Sequence, residues 1–142
     1  MQALTDAYLL ELSRQLAFLG AFLGGFAATF LVTVLVSHAP RRVAGWVVGA
    51  AAVAACAFVV SVVASVMLTT VLHADVPANV RAHASVGTGR VVNSLSFGLG
   101  VFALLAAVGL SGWLRSRRTG LVTGSAAVVA LILVAWALAG FA

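Results

Sequence analysis

The chain has 142 residues, of which 63% are hydrophobic and only 8% are charged, and its formal net charge at pH 7 is +5. Soluble domains carry about a quarter charged residues, so this composition cannot cover a surface that faces water. The basic residues are arginines scattered through short segments, without a basic stripe, which argues against nucleic acid as a partner. The composition therefore predicts an integral membrane protein whose main surroundings are a lipid bilayer.

Residue usage also indicates the kind of cell. Lysine is absent, whereas alanine, valine, glycine and arginine are abundant, a pattern typical of a GC-rich bacterial genome. We therefore expect a multi-pass protein of the bacterial plasma (inner) membrane. The single cysteine, Cys56, excludes an intrachain disulfide.

Apolar stretches predict an all-α fold with four transmembrane helices arranged as two helical hairpins, since about 20 apolar residues cross a bilayer. A single transmembrane domain is expected over residues 1–142. The predicted spans are, in chain order, residues 16–36, 43–72, 91–114 and 120–141. The first helix is expected to extend back to about residue 5, because Thr5 can act as its N-cap.

The arginines are divided unevenly between the two ends of the predicted helices. Loops 37–42 and 115–119 hold five of them, whereas the N-terminus and the loop 73–90 hold three, together with all three acids. Because basic residues near the spans favour the cytoplasmic side, both short loops are expected in the cytoplasm. The N- and C-termini are then expected outside.

The stretch FLGAFLGGFAATF, residues 18–30, gives the first helix a side of small residues and a side of larger ones. The spacing Gly20-x-x-x-Gly24 lets two helix backbones approach closely in lipid. This side is therefore predicted to pack on a neighbouring helix. At 100° per residue, it consists of Ala17, Gly20, Ala21, Gly24 and Ala28.

The opposite side of the first helix mixes polar and aromatic residues, and two interpretations of it remain open. In the first, the threonines bond to carbonyls one turn earlier, and the phenylalanines meet lipid or fill a bundle core. In the second, this side lines the axis of a homo-oligomer, with polar rings, a phenylalanine constriction and a mouth that attracts cations. The pore-lining candidates are Glu11, Gln15, Phe18, Phe22, Thr29 and Thr33.

Small and polar residues recur on the other helices, where they are interpreted as packing surfaces. Such ladders join membrane helices through close contact and through hydrogen bonds of about 0.6 kcal/mol each. The predicted packing residues are Gly45, Gly49, Ser61, Ser65 and Thr69 on the second helix, Gly100 on the third, and Gly120 and Gly124 on the fourth.

Side chains that carry chemistry are scarce in the predicted spans. Every acid and every arginine lies outside the predicted hydrocarbon core, whereas ion-coupled pumps usually place an ionisable residue within it. His73, Asp75 and His83 share one loop, but their irregular spacing favours ordinary loop residues over metal ligands. With no nucleophile–base pair or carboxylate dyad evident, we predict no enzyme, no cofactor and no metal site.

Two functional hypotheses follow from these patterns. The first is a homo-oligomeric channel-like or pore-like assembly lined by the first helix. The alternative is a non-conducting membrane scaffold or an accessory subunit that joins other membrane subunits in a larger complex. A first helix enclosed within its own bundle would count against the pore.

Overall fold

The computed structural model describes residues 2–37, 41–72 and 86–140, and it confirms an all-α chain. Four of its helices are long and apolar enough to cross a membrane. They are α1 (Gln2–Val36), α2 (Arg41–Leu72), α3 (Val86–Ser111) and α4 (Arg117–Ala139). A short 3₁₀ turn at Gly112–Leu114 follows α3. With 35, 32 and 26 residues, the first three helices exceed the length that a bilayer needs, so they tilt or project beyond it.

The helices form an open layer in the order of the chain. α2 packs between α1 and α3, and α4 packs on α3, whereas α1 and α3 touch each other only marginally. Within the described residues, α4 contacts neither α1 nor α2. The layer therefore differs from a closed four-helix bundle, because α1 and α4 each have one full neighbour and a wide exposed surface.

Neighbouring helices in the layer run antiparallel. Gly20 of α1 lies against Val62 of α2, while Gly24, one turn later, lies against the earlier residue Phe58. The same reversal holds between α2 and α3, where Leu68 lies against Gly89 and Phe58 against Gly100. It holds again between α3 and α4, since Gly109 lies against Ala127, whereas the later Gly112 lies against the earlier Gly120. The N-terminus of α1 and the C-terminus of α4 consequently lie at one end of the layer.

Buried positions recur every seven residues along the helices. This repeat is typical of helices that cross at about +20° and wrap slightly around one another, as in coiled coils and many membrane bundles. The repeating buried residues are Ser13, Gly20, Ala27 and Val34 on α1, Val47, Ala54, Ser61 and Leu68 on α2, Asn93, Gly100 and Ala107 on α3, and Gly120 and Ala127 on α4.

Phe58 is the centre of the layer, and its side chain is fully buried. A Cβ atom added to Gly24 would lie 3.2 Å from the Phe58 Cβ, and one added to Gly100 would lie 2.9 Å from the ring. Phe97 meets the same ring edge-on, with the ring centroids 5.9 Å apart. Glycines on both flanking helices thus make room for one aromatic side chain of α2.

The α3–α4 hairpin depends on a second close approach. A Cβ atom added to Gly109 would lie 2.7 Å from the Ala127 Cβ, so the two helices nearly touch there. The Thr123 hydroxyl donates a hydrogen bond across the contact to the Gly109 carbonyl, with an O···O distance of 3.1 Å. At the start of α4, the Thr119 N–H donates to the Ser116 Oγ at 3.1 Å, which is a typical N-cap bond.

Candidate functional site

The six pore-lining candidates all lie on the exposed surface of α1, outside its contact with α2. Phe18 and Phe22 are 72% and 67% exposed, and Phe26 continues the same aromatic ridge. Phe26 stacks on Phe30, with ring centroids 6.4 Å apart and an interplanar angle of 15°. The exposed polar candidates are Glu11, Gln15, Thr29 and Thr33.

Hydrogen bonds on this surface use up its hydroxyl donors. Thr29 Oγ1 donates to the Gly25 carbonyl at 2.9 Å, and Thr33 Oγ1 donates to the Thr29 carbonyl at 2.8 Å. The Gln15 amide nitrogen lies 3.4 Å from the Glu11 carboxylate and donates to it. Because each threonine proton bonds to the helix, the threonine oxygens present lone pairs to the outside. We call the surface formed by the six candidates the acceptor face.

Some of the small residues of α1 contact α2, and others are exposed. A Cβ atom on Gly20 would lie 3.1 Å from Val62 Cγ2, and Gly24 lies against Phe58, so both glycines contact α2. Ala17 is half-buried, whereas Ala28 is exposed. The buried line of α1 runs through Gly20 and Ala27, along one edge of the side of small residues, and Ala28 lies near the other edge.

The packing candidates on the other helices have different surroundings. Ser61 and Ser65 are fully buried, Thr69 is half-buried, Gly100 lies against Phe58, and Gly120 lies against Trp113. Gly124 is half-buried and has Trp113 Nε1 at 3.9 Å from an added Cβ. An added Cβ on Gly45 or Gly49 would meet no described atom within 4 Å.

A buried polar contact joins α2 to α3. Ser61 Oγ donates to Asn93 Oδ1 at 2.6 Å, and both side chains are enclosed, with Asn93 only 3% exposed. Ser65 Oγ, one turn further along α2, is also buried and has no hydrogen-bond partner in the described part of the chain. The Ser61–Asn93 bond satisfies two buried polar side chains at once, so it favours the register of α2 against α3 in which they meet.

Replacement of Asn93 by alanine is expected to destabilise the protein by about 1–2 kcal/mol, because it leaves the Ser61 hydroxyl buried without its acceptor. The free energy of unfolding is measured in mixed micelles. Ser125→Ala is the matched control, since Ser125 is exposed and bonds within its own helix.

A double-mutant cycle with Ser61→Ala isolates the bond from other effects of the Asn93 change. We expect a coupling energy of about 0.6 kcal/mol, the average for hydrogen bonds between membrane helices, and at most about 1.7 kcal/mol. Strictly additive effects of the two substitutions would contradict an energetic role for this bond.

The metal hypothesis concerns His73, Asp75 and His83, which all lie outside the described residues. Among residues 2–37, 41–72 and 86–140, no group of three His, Cys, Asp or Glu side chains is placed to hold a metal ion.

Several residues with close contacts were missed by sequence reasoning. Gly109 and Gly112 are buried between α3 and α4, Ser13 and Ala27 belong to the α1–α2 contact, and Phe58 is central. The spacing Ser13, Gly20, Ala27 and Val34 is visible in the sequence as small residues seven positions apart. A search at 3.5 residues per turn, instead of 3.6, detects this pattern.

The fold and composition define a small integral membrane protein with four membrane-spanning helices. Comparisons with protein-family models, with curated proteins and with solved structures found no match to this chain.

Proposed function

We propose that the chain assembles into a homo-oligomer in the bacterial inner membrane, in which the acceptor face of α1 lines a central pore. The observation that carries this proposal is the position of α1 at the edge of an open layer. Its acceptor face is exposed, and its other side is occupied by α2. Subunits arranged in a ring can therefore turn this face toward a common axis without rearranging their own contacts.

The chemistry of the acceptor face suits a pore for cations. Threonine rings supply oxygen lone pairs, because the hydroxyl protons of Thr29 and Thr33 bond to backbone carbonyls. Glu11, near the N-terminal end of α1, places a carboxylate at the mouth, and Phe18 and Phe22 form an apolar constriction between these polar levels. Rings of acidic groups and oxygens favour cations, whereas an apolar constriction gates by excluding water. The proposed role involves no catalysis.

The arginine distribution supports an orientation for this assembly. In the antiparallel layer, α2 and α4 begin at the same end, α2 at Arg41 and α4 at Arg117. These starts belong to the arginine-rich segments 37–42 and 115–119 of the sequence. Under the positive-inside rule these segments face the cytoplasm, and both termini face outward. Glu11 then belongs to the external mouth of the pore.

A non-conducting scaffold or accessory subunit is the second candidate, and one observation favours it. The hydroxyls of Thr29 and Thr33 donate to carbonyls of their own helix. A hydroxyl bonded in this way can face lipid or an apolar partner without leaving its donor unsatisfied. In this case, the aromatic ridge of Phe18, Phe22 and Phe26 contacts acyl chains or another membrane subunit.

Ion flux through proteoliposomes tests the pore. Phe22→Ala is expected to raise cation flux several-fold, because it widens the apolar constriction, and Thr33→Ala is expected to lower it by removing an oxygen ring. Ile132→Ala, a change at a comparably exposed apolar position of α4, is expected to leave flux unchanged.

The absence of flux in the wild type and both α1 variants, under voltage and under membrane tension, would exclude the pore and leave the scaffold. Native mass spectrometry of the lipid-reconstituted protein gives the subunit number independently. A monomer under all lipid conditions would also contradict the homo-oligomer.

A further inference from the structure

A cavity of about 80 Å³ lies where α1, α2 and α3 meet, at the end of the layer that holds the N-terminus of α1. Leucines of α1 and Leu68 of α2 form its apolar side. Arg90, Asn93 and Ser94 of α3 supply most of its polar side, together with Ser13 of α1. The cavity lies away from the acceptor face, and its assignment does not depend on the pore.

The α3 side of the cavity is rich in hydrogen-bond donors. Asn93 Oδ1 already accepts a bond from Ser61, so the capacity that Asn93 has left includes its amide N–H donors. Neither Arg90 nor Ser94 has a hydrogen-bond or ion-pair partner among the described residues. A free guanidinium, a free hydroxyl and an amide within one cavity match an anion with several acceptor oxygens.

The surroundings of Arg90 indicate which anion. Arg90 lies in the second turn of α3, within an apolar segment, Val86–Leu114, that is able to span a membrane. It also lines an open groove along α3 with Ser94, Val91 and Leu95. Val91 and Leu95 are large apolar side chains with more than half of their surface exposed. If a phosphate group binds beside Arg90, an acyl chain attached to it can lie on the neighbouring apolar surface of Val91 and Leu95.

We propose that this cavity binds the headgroup phosphate of an anionic phospholipid. Arg90 pairs with the phosphate oxygens, because the planar guanidinium matches them with two parallel N–H donors, and Ser94 and Asn93 donate to the remaining oxygens. An acyl chain of the same lipid lies on Val91 and Leu95. The positive charge of the Arg90 guanidinium favours an anionic headgroup over a zwitterionic one, which carries a cationic group of its own.

Native mass spectrometry of the full chain in detergent, titrated with phosphatidylglycerol, tests this assignment. Arg90→Gln is expected to weaken binding by about tenfold, the effect of losing one charge-assisted contact. Arg115→Gln is the matched control, because Arg115 is an exposed arginine at the opposite end of α3. Its lipid affinity is expected to equal that of the wild type.

Additional ligands distinguish the source of the phosphate. Phosphatidylcholine is expected to bind more weakly than phosphatidylglycerol, and millimolar inorganic phosphate is expected to leave the bound lipid in place. Equal affinity for both lipids would overturn the anionic assignment. If inorganic phosphate displaces the bound lipid, the lipid assignment is wrong and the cavity is a site for a small anion.

Lipid binding is compared only among variants that fold, so that a loss of binding is not caused by unfolding. Circular dichroism and gel filtration are used to test whether Arg90→Gln folds. Ser94→Ala, at an exposed position, is a milder second variant. We expect Ser94→Ala to weaken lipid binding by about threefold, as the loss of a neutral donor does. Unchanged affinity in both variants, or an equal loss in Arg115→Gln, would refute the site.

Discussion

Replacement of Gly112 by alanine is expected to destabilise the α3–α4 hairpin by about 2–3 kcal/mol, the cost of overpacking a closed contact. An added Cβ atom would overlap Thr123 Oγ1, and it would also lie 2.8 Å from the Thr119 carbonyl oxygen and 3.0 Å from the Gly120 Cα. Rotation of the threonine side chain relieves the first overlap. The other two involve backbone atoms of α4, so α4 itself must move away from α3.

Gly98→Ala provides the matched control for Gly112→Ala. Gly98 lies on α3, whereas Gly112 begins the 3₁₀ turn after it, and an added Cβ on Gly98 meets no described atom within 4 Å. Alanine is the better helix former by about 1 kcal/mol, so this variant is expected to be neutral or slightly stabilised. Reversible unfolding in mixed micelles measures both changes. Equal stability of the two variants would show that the α3–α4 contact is looser than the structure indicates.

Phe58→Ala is expected to destabilise the protein by about 3 kcal/mol. Its buried ring contacts both flanking helices, and its removal leaves a cavity where α1, α2 and α3 meet. In lipid the loss comes mainly from van der Waals contacts, since an acyl environment is as apolar as the protein interior. Phe22→Ala is the control, because Phe22 is 67% exposed on α1 and its loss is expected to cost less than about 1 kcal/mol.

A size exchange tests whether Gly100 exists to accommodate Phe58. Gly100→Ala places a Cβ atom 2.9 Å from the ring and is expected to destabilise the protein by about 1–3 kcal/mol. In a Phe58→Leu background the same change is expected to cost less, because the smaller side chain leaves space. Additive effects of the two substitutions would show that the ring and the glycine are energetically independent.

The fold class was predictable because it depends on summed properties of long segments. Backbone polar groups in lipid must be satisfied within the segment, so an apolar stretch of sufficient length becomes a helix. The contacts of Gly20 and Gly24 with α2 involve a local pattern of small residues that the sequence displays openly. The acceptor face is exposed on α1, and its role as a pore lining stays a prediction.

The roles of some residues could not be predicted from the sequence, because they depend on contacts with neighbouring helices. Phe58 stands in a run of apolar residues with Val59 and Val60, and nothing in its hydropathy marks it as the central side chain. Gly112 is critical because Thr119 and Gly120 of the next helix lie against it, which no local pattern records. Ala28 lies on the same broad side of α1 as Gly20, yet it is exposed, because α2 contacts the edge of that side formed by Gly20 and Ala27.

By itself, the sequence determined that this chain lives in a membrane and crosses it as four helices, since both follow from apolarity summed over about 20 residues at a time. Apart from the small-residue pattern of Gly20 and Gly24, only the tertiary structure decided which side of a helix meets protein and which side is exposed. The physical reason is that lipid tails and protein interiors are equally apolar, so hydropathy does not distinguish the two sides. The side that packs against protein is determined instead by the fit of side chains between helices and by a few hydrogen bonds, such as that from Ser61 to Asn93.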